Sequence, residues 1–312
     1  MRDYNFWPKI KKPILALAPM AGFSDAPFRR LVSDFGADVV YSEMASATAL
    51  FYNSGETLKL LQFSRYREKK YVVQLFGSEP SHFAVATQIV TKKIKPAGID
   101  INFGCPVGKV IKQGAGSDLM QNLAKAREVI SAVCSNTHLP VSVKIRAKSG
   151  SVGALDFLKA ISDLPVRAVM IHGRTVKQGF TGEIDYNLIK EARKYFSGII
   201  LANGGINDLE EAKNTLERTE ADGLGLARGV LGRPWLFKEI KRNKIIDFNK
   251  RELFKLIKKH ARLFKKIKGE LAMIELRKHF CWYFQGREGA SSYRLQIVKM
   301  ENYQDLVKIL KI

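Results

Sequence analysis

Eight short apolar runs punctuate the first three quarters of the chain, at residues 14–18, 38–42, 71–75, 98–102, 141–145, 167–171, 198–202 and 222–226. Each is followed by a polar or glycine-rich stretch and then by a segment in which apolar residues recur every three to four positions. The runs are close to continuously hydrophobic, as in Tyr71-Val72-Val73-Gln74-Leu75, which fits strands covered on both faces in a parallel sheet. The intervening periodicity predicts helices over 26–35, 80–95, 122–135, 152–163, 185–195 and 207–218, with Ser24 or Asp25, Ser81, Ser151 and Asn207 as N-caps. Repeated strand–helix units over about 240 residues are the length of a (β/α)8 TIM barrel. The competing open, doubly wound sheet would place Gly-x-Gly-x-x-Gly after its first strand, and none stands there.

Beyond Trp235 the pattern changes. No further β run follows, and residues 250–284 read as long helices, so the chain divides into a barrel over 1–241 and a small all-helical domain over 242–312. Leu253, Ile257, Ala261, Phe264, Ile267 and Leu271 recur at helical spacing, whereas Lys255, Lys258, Lys259, Arg262, Lys265 and Lys266 fill the complementary arc. One face is expected to pack, leaving the other basic. The whole chain of 312 residues carries a formal charge of +22, and residues 241–312 hold 19 Lys and Arg against 7 Asp and Glu. A charge so large and so unevenly placed suits a polyanionic partner such as nucleic acid.

The three cysteines, Cys105, Cys134 and Cys281, make no disulfide framework and fit a reducing compartment. The first apolar run, 14–18, is too short for a signal sequence or a membrane span, so a cytoplasmic location without membrane association is expected. No obligate protein partner and no metal site are implied. Cys134 and Cys281 fall on expected helices near apolar residues and read as packing.

In such a barrel the active site forms where the strands end. Those ends are polar and varied: Pro19-Met20-Ala21-Gly22, Ser42-Glu43-Met44, Gln74, Asn102 ahead of Cys105, Lys144 and Arg146, His172 and Arg174, Asn203-Gly204-Gly205, and Ala227-Arg228-Gly229. Cys105 sits on a Gly/Pro-punctuated loop past the fourth strand, a position that suits chemistry better than packing. Lys144 interrupts an apolar strand, and a buried ammonium needs a negative group beside it. That group is either a structural partner such as Glu43 or an anionic ligand, for instance the N1/O2 edge of a reduced flavin. The turns at 203–205 and 227–229 occupy the usual phosphate corner of this fold, where backbone amides and Arg228 could hold a mononucleotide such as FMN.

These residues carry a resemblance. Ala18-Pro19-Met20-Ala21-Gly22-Phe23-Ser24-Asp25-Ala26-Pro27-Phe28-Arg29, Ile101-Asn102-Phe103-Gly104-Cys105-Pro106, Val143-Lys144-Ile145-Arg146, Ile171-His172-Gly173-Arg174-Thr175, Ala202-Asn203-Gly204 and Leu231-Gly232-Arg233-Pro234-Trp235 resemble, in order, segments of the tRNA-dihydrouridine synthases. The tail Arg277-Lys278-His279-Phe280-Cys281-Trp282-Tyr283 is similar to the helical domain of the bacterial B-type branch. The resemblance implies FMN-dependent, NADPH- or NADH-linked reduction of the C5–C6 double bond of uridines in tRNA. It implies cofactor contacts at Pro19, Met20, Ala21, Gln74, Lys144, His172, Asn203, Gly204, Gly205, Ala227 and Arg228. Cys105 becomes the proton donor, Asn102 and Arg146 become candidates for holding the uracil edge, and the basic domain becomes a tRNA grip. Two rival readings differ in one feature each. A flavin barrel acting on a free pyrimidine would leave the basic tail without a role, and a tRNA-binding module without chemistry would not need the flavin set.

Overall fold

The computed structural model describes residues 4–310. Its eight main strands are β1 Ile14–Leu17, β2 Val39–Tyr41, β3 Tyr71–Phe76, β4 Gly98–Asn102, β5 Val141–Arg146, β6 Val166–His172, β7 Ile199–Asn203 and β8 Gly223–Leu226. All pair in parallel with their neighbours, and β1 pairs with β8 in the register Ile14↔Gly223, which closes the sheet on itself. The closed sheet is a (β/α)8 barrel, and the eight expected strands are all present. β2 is short, and the two-residue strand Ala45–Ser46 takes over its pairing at the top of β3.

Strand alternation sorts the side chains into two sets. Leu15, Leu17, Val73, Ile101, Val143, Val169 and Ala202 point outward into the layer shared with the helices. Ile14, Ala16, Val39, Tyr41, Val72, Ala168, Met170 and Leu201 point inward and fill the lower barrel, closed from below by Phe6 and Trp7. Higher in the barrel the inward positions become Gln74, Asp100, Asn102, Ser142, Lys144, His172 and Asn203. The interior therefore has an apolar floor and a polar upper layer, and the polar layer is the base of the candidate site.

The expected helices form, with shifted ends. Asp25 caps Ala26–Asp34 by accepting from the Phe28 amide at 3.0 Å. The other three expected caps move: Glu79 precedes Pro80–Ile89, Gly153 precedes Ala154–Ala160, and Asp208 caps Leu209–Thr219. Pro80 explains the first, because proline is preorganised for the first helical position and places the cap one residue before it. At the last, Asp208 Oδ1 takes the Glu211 amide while Glu211 reaches back to the Asn207 amide.

A fully buried ion pair braces the first helix. Arg29 Nε meets Glu68 Oε1 at 2.6 Å with both side chains at 0% exposure. The rest of the guanidinium donates to the carbonyls of Ser24 and Gln62, both at 2.8 Å, and Glu68 Oε2 accepts the Ser64 amide. Nearly every polar atom of the pair is thus used, as burial of charge demands.

Beyond the barrel, Lys250–Lys268 is a single helix, capped by Asn249 and ended at Gly269, whose φ is +90°. The rest of the expected long helical stretch breaks into Leu271–Leu276 and Arg277–Tyr283, followed by Ala290–Ile297 and Tyr303–Ile309. Leu253, Ile257, Ala261 and Phe264 are buried as the spacing predicts, but Leu271 is 95% exposed because the helix stops before reaching it. The buried face lies against Ala26–Asp34, where His279 packs on Phe23 and Phe28 and His260 packs on Phe28. Lys259 adds an ion pair across the same junction, to Asp34.

Candidate functional site

Above the polar layer lies a cavity of about 550 Å³ at the strand C-termini. Every residue expected to hold the cofactor or the substrate lines it, with Cys105: Pro19, Met20, Ala21, Gln74, Asn102, Cys105, Lys144, Arg146, His172, Asn203, Gly204, Gly205, Ala227 and Arg228. These come from seven of the eight strand ends. Convergence of so many polar groups on one concavity makes it the candidate binding site.

The Cys105 loop is held by Asn102. Its Oδ1 accepts the amides of both Gly104 and Cys105, at 3.0 and 2.9 Å, while its Nδ2 donates to Gln74 Oε1 at 3.0 Å. Gln74 Nε2 in turn donates to Asp100 Oδ2 at 2.7 Å, and Ser142 Oγ donates to Asp100 Oδ1 at 2.6 Å. A continuous chain therefore runs from Ser142 and Asp100, buried in the barrel, to the backbone of Cys105. From the other side the Ser117 amide donates to the Cys105 carbonyl. Gly116 makes that approach possible: its φ is +63°, and a Cβ there would come within 2.7 Å of the Cys105 oxygen. Cys105 lines the cavity, half-buried and free of disulfide. It lies within electrostatic reach of Lys144 and Arg146.

Lys144 is set between Asn102 on β4 and Met170 on β6. Glu43 is not its partner, because that carboxylate is turned to the Gly22 amide. Among the described residues Lys144 makes no ion pair. Burial and the nearby Arg146 bring its ammonium down to about 8, with Asp100 opposing. Burial also pushes Asp100 up to about 6, against the hydrogen bonds of Ser142 and Gln74 and the charge of Lys144. His172 is lowered to about 2, first by burial and then by Lys144, Arg146, Arg174 and Arg228. It is a neutral imidazole in a strongly positive surround, a field suited to an anion.

At the β7 exit Asn203 Nδ2 donates to the Gly225 carbonyl at 2.6 Å, tying β7 to β8. Gly204 follows at φ +107°, where a Cβ would meet the His172 ring at 2.6 Å, so this turn accepts no side chain. Arg228 opens a short 3-10 turn whose first amides have no acceptor within the turn. Its guanidinium stacks on Phe180 at 4.4 Å from the ring centroid and donates to the Phe180 carbonyl. Arg146 holds the same loop through Gly179 and Thr175, and reaches Gly104 with Nε at 3.1 Å. It thereby links the 175–182 loop to the Cys105 loop.

Several lining residues were not among the expected site residues: Phe23, Phe180 and Trp282 in the wall, and Asp100 and Ser142 beneath. Asp100 and Ser142 had a signal, since both are polar at inward positions of otherwise apolar strands. Phe180 and Trp282 had none, because they reach the cavity from a loop and from the C-terminal helices. Cys134 and Cys281 pack against the core, and burial raises both thiols, Cys134 to about 11.

The cavity's residues fit a flavin mononucleotide: a half-buried ammonium without an ion-pair partner for an anionic group, a neutral histidine, and glycine turns with Arg228 for a phosphate. Among the described residues no cluster of His, Cys, Asp and Glu could hold a metal ion, and no helix is long and apolar enough to cross a membrane. The barrel is similar to that of an old yellow enzyme homologue from Zymomonas mobilis, with a TM-score of 0.55 at 12% identity over 75% of this chain and 90% of that one. Histamine dehydrogenase from Rhizobium gives a TM-score of 0.59 at 14% identity, covering 84% of this chain and 51% of that one. A "probable tRNA-dihydrouridine synthase" from Aquifex aeolicus is 33% identical over 302 residues, covering 96% of this chain and 95% of its own. The tRNA-dihydrouridine synthase B of Pasteurella multocida is 32% identical over 310 residues, covering 93% and 92%. The sequence profile of the dihydrouridine synthases matches residues 16–311, and the chain belongs to that family of flavin-dependent oxidoreductases.

Proposed function

We propose that this protein reduces uridine in tRNA to dihydrouridine, with FMN as resident cofactor and NADPH or NADH as electron donor, in the cytoplasm. The observation that carries the reading is the pairing, across one cavity, of a cysteine on a braced loop with a half-buried lysine that makes no ion pair among the described residues. Relatives named for the same activity along nearly the whole chain support it.

In this reading Lys144 would hold an anionic group of the flavin, and Pro19, Met20, Ala21, Gln74 and His172 would contact it. The turns at Asn203-Gly204-Gly205 and Ala227-Arg228 hold its phosphate. When bound and reduced, the flavin supplies a hydride to C6 of the uracil. Cys105 then gives its proton to C5 and is reprotonated from solvent. Proton transfer of this kind contributes roughly 10²–10⁴-fold to a rate. Asn102 and Arg146 orient the uracil edge, and both also fix the loops that carry the reacting groups.

The region from residue 242 supplies the RNA grip. Lys255 and Lys266 are exposed and Lys258 half-buried, and none of the three has a partner among the described residues. A uridine in folded tRNA must leave its stack to reach the cavity, at a cost of a few kcal/mol that phosphate contacts offset. The test is direct: purified protein is reduced with NADPH without oxygen and mixed with tRNA from a strain lacking dihydrouridine. The expected result is flavin reoxidation coupled to dihydrouridine formation. Reoxidation by free uridine or orotate but not by tRNA would refute the proposal.

A further inference from the structure

On the same rim as the cavity, three aromatic rings touch one another with no core above them. The Phe51 ring lies 4.2 Å from His82 and 5.1 Å from Tyr52, the latter edge-on at 87°, and Tyr52 lies 5.9 Å from His82. Tyr52 is 73% exposed and Phe51 36% exposed. Single exposed aromatics are common on protein surfaces, but a mutually packed set leaves a large apolar face in water.

The set is rigid. Ser46 caps Ala47–Phe51 by accepting the Ala49 amide, and Ala47 and Leu50 anchor that helix in the core. Beyond it the Tyr52 amide donates to the Thr48 carbonyl, and the Asn53 amide to Leu50. Thr48 Oγ1 lies 3.1 Å from His82 Nδ1, which fixes the third ring. The backbone beneath Phe51 and Tyr52 and the His82 ring are thus already ordered, which lowers the cost of docking a planar ligand.

Position and charge indicate the occupant. Met44, three residues before the helix, lines the cavity, and Ser46 pairs with Phe76 at the top of β3. His82 stands in the first turn of the helix that leaves the same rim. The Cys105 loop adjoins this point, since a Cβ on Gly114 would lie 3.6 Å from Ser78, and that loop carries the exposed Lys109 and Lys112. The two acids nearby are already paired, Glu79 with Lys125 and Glu56 with Lys59. Exposed rings beside uncompensated lysines are how proteins hold unpaired nucleotides, by stacking and phosphate attraction together.

Building on the proposed tRNA reaction, we propose that Phe51, Tyr52 and His82 form a stacking platform for an unpaired nucleobase of the tRNA substrate, outside the catalytic cavity. The test uses the full-length flavoprotein and an unmodified tRNA transcript. Tyr52→Ala is expected to raise KM for tRNA about tenfold, with kcat and flavin reduction by NADPH unchanged, and Tyr52→Phe is expected to keep the parental KM. In Tyr52→Trp, the new fluorescence is expected to be quenched saturably by the tRNA. An unchanged KM in Tyr52→Ala together with no quenching would overturn the proposal, as would a change only in self-association of the RNA-free protein. Should the parental enzyme fail to reduce tRNA at all, the reaction assignment fails. The quenching titration would still decide whether the platform binds RNA.

Discussion

Replacing Asn102 with Ala tests the brace on the Cys105 loop. The substitution removes an oxygen that accepts two backbone amides and an amide that satisfies Gln74, all at 2.9–3.0 Å. Asn102 is 7% exposed and Gly104 is buried, so water does not readily replace these bonds. Two orphaned donors and one orphaned acceptor, at about 1 kcal/mol each, give a loss of stability of about 3 kcal/mol. The second consequence is kinetic. A loop no longer held at two amides lets the thiol drift, and a displacement on the order of 1 Å costs about 10²-fold in rate. The assay pairs urea unfolding, for the shift in midpoint, with anaerobic stopped-flow reoxidation of reduced flavin by tRNA. Both should fall, while reduction of the flavin by NADPH stays near parental. A variant that loses tRNA-dependent reoxidation with no loss of stability would refute the bracing argument and leave Asn102 as a substrate contact alone.

Glu68→Gln leaves Arg29 charged and buried without its carboxylate, and should destabilise the protein by about 3–5 kcal/mol in urea unfolding with little effect on flavin affinity. Lys144→Met removes a half-buried charge that has no ion-pair partner among the described residues and should weaken flavin binding while the flavin-free protein melts no lower than the parent, as read by flavin fluorescence titration and thermal melts. His260 is fully buried and lowered to about 3, against 6.5 when unfolded, by burial. Its neutral form is fully compatible with the fold above pH 6.5, and stability is lost as pH falls from 6.5 toward 3, because the unfolded state binds the extra proton. His260→Phe should therefore flatten the acid limb of a plot of urea midpoint against pH relative to the parent.

Much of this was legible along the chain, for physical reasons. Strands buried on both faces must be apolar throughout, so all eight stood out as continuous runs, and the polar residues ending them marked the mouth. Cys105 was visible because glycine and proline around a thiol exclude a packed helix or strand. What stayed hidden depended on choices between near-equivalent neighbours or on distant contacts. Ser81, Ser151 and Asn207 are sound caps by type, yet Pro80 shifted the first boundary and Asp208 offered a better acceptor beside Asn207. Leu271 continued a helical stripe, but Gly269 ended the helix first. Glu43 was a reasonable partner for Lys144 in charge alone, and only the fold shows it turned to the Gly22 amide. Trp282 enters the cavity wall from some 180 residues beyond Cys105 in sequence, a meeting that no local pattern encodes.

The central claim is that Cys105 gives the proton that completes uracil reduction. It is tested most directly by mixing NADPH-reduced Cys105→Ala flavoprotein with unmodified tRNA in the absence of oxygen and following the flavin absorbance. The account predicts normal flavin binding and normal reduction by NADPH, with tRNA-dependent reoxidation slowed by at least about 10²-fold. Reoxidation and dihydrouridine formation at the parental rate would contradict it.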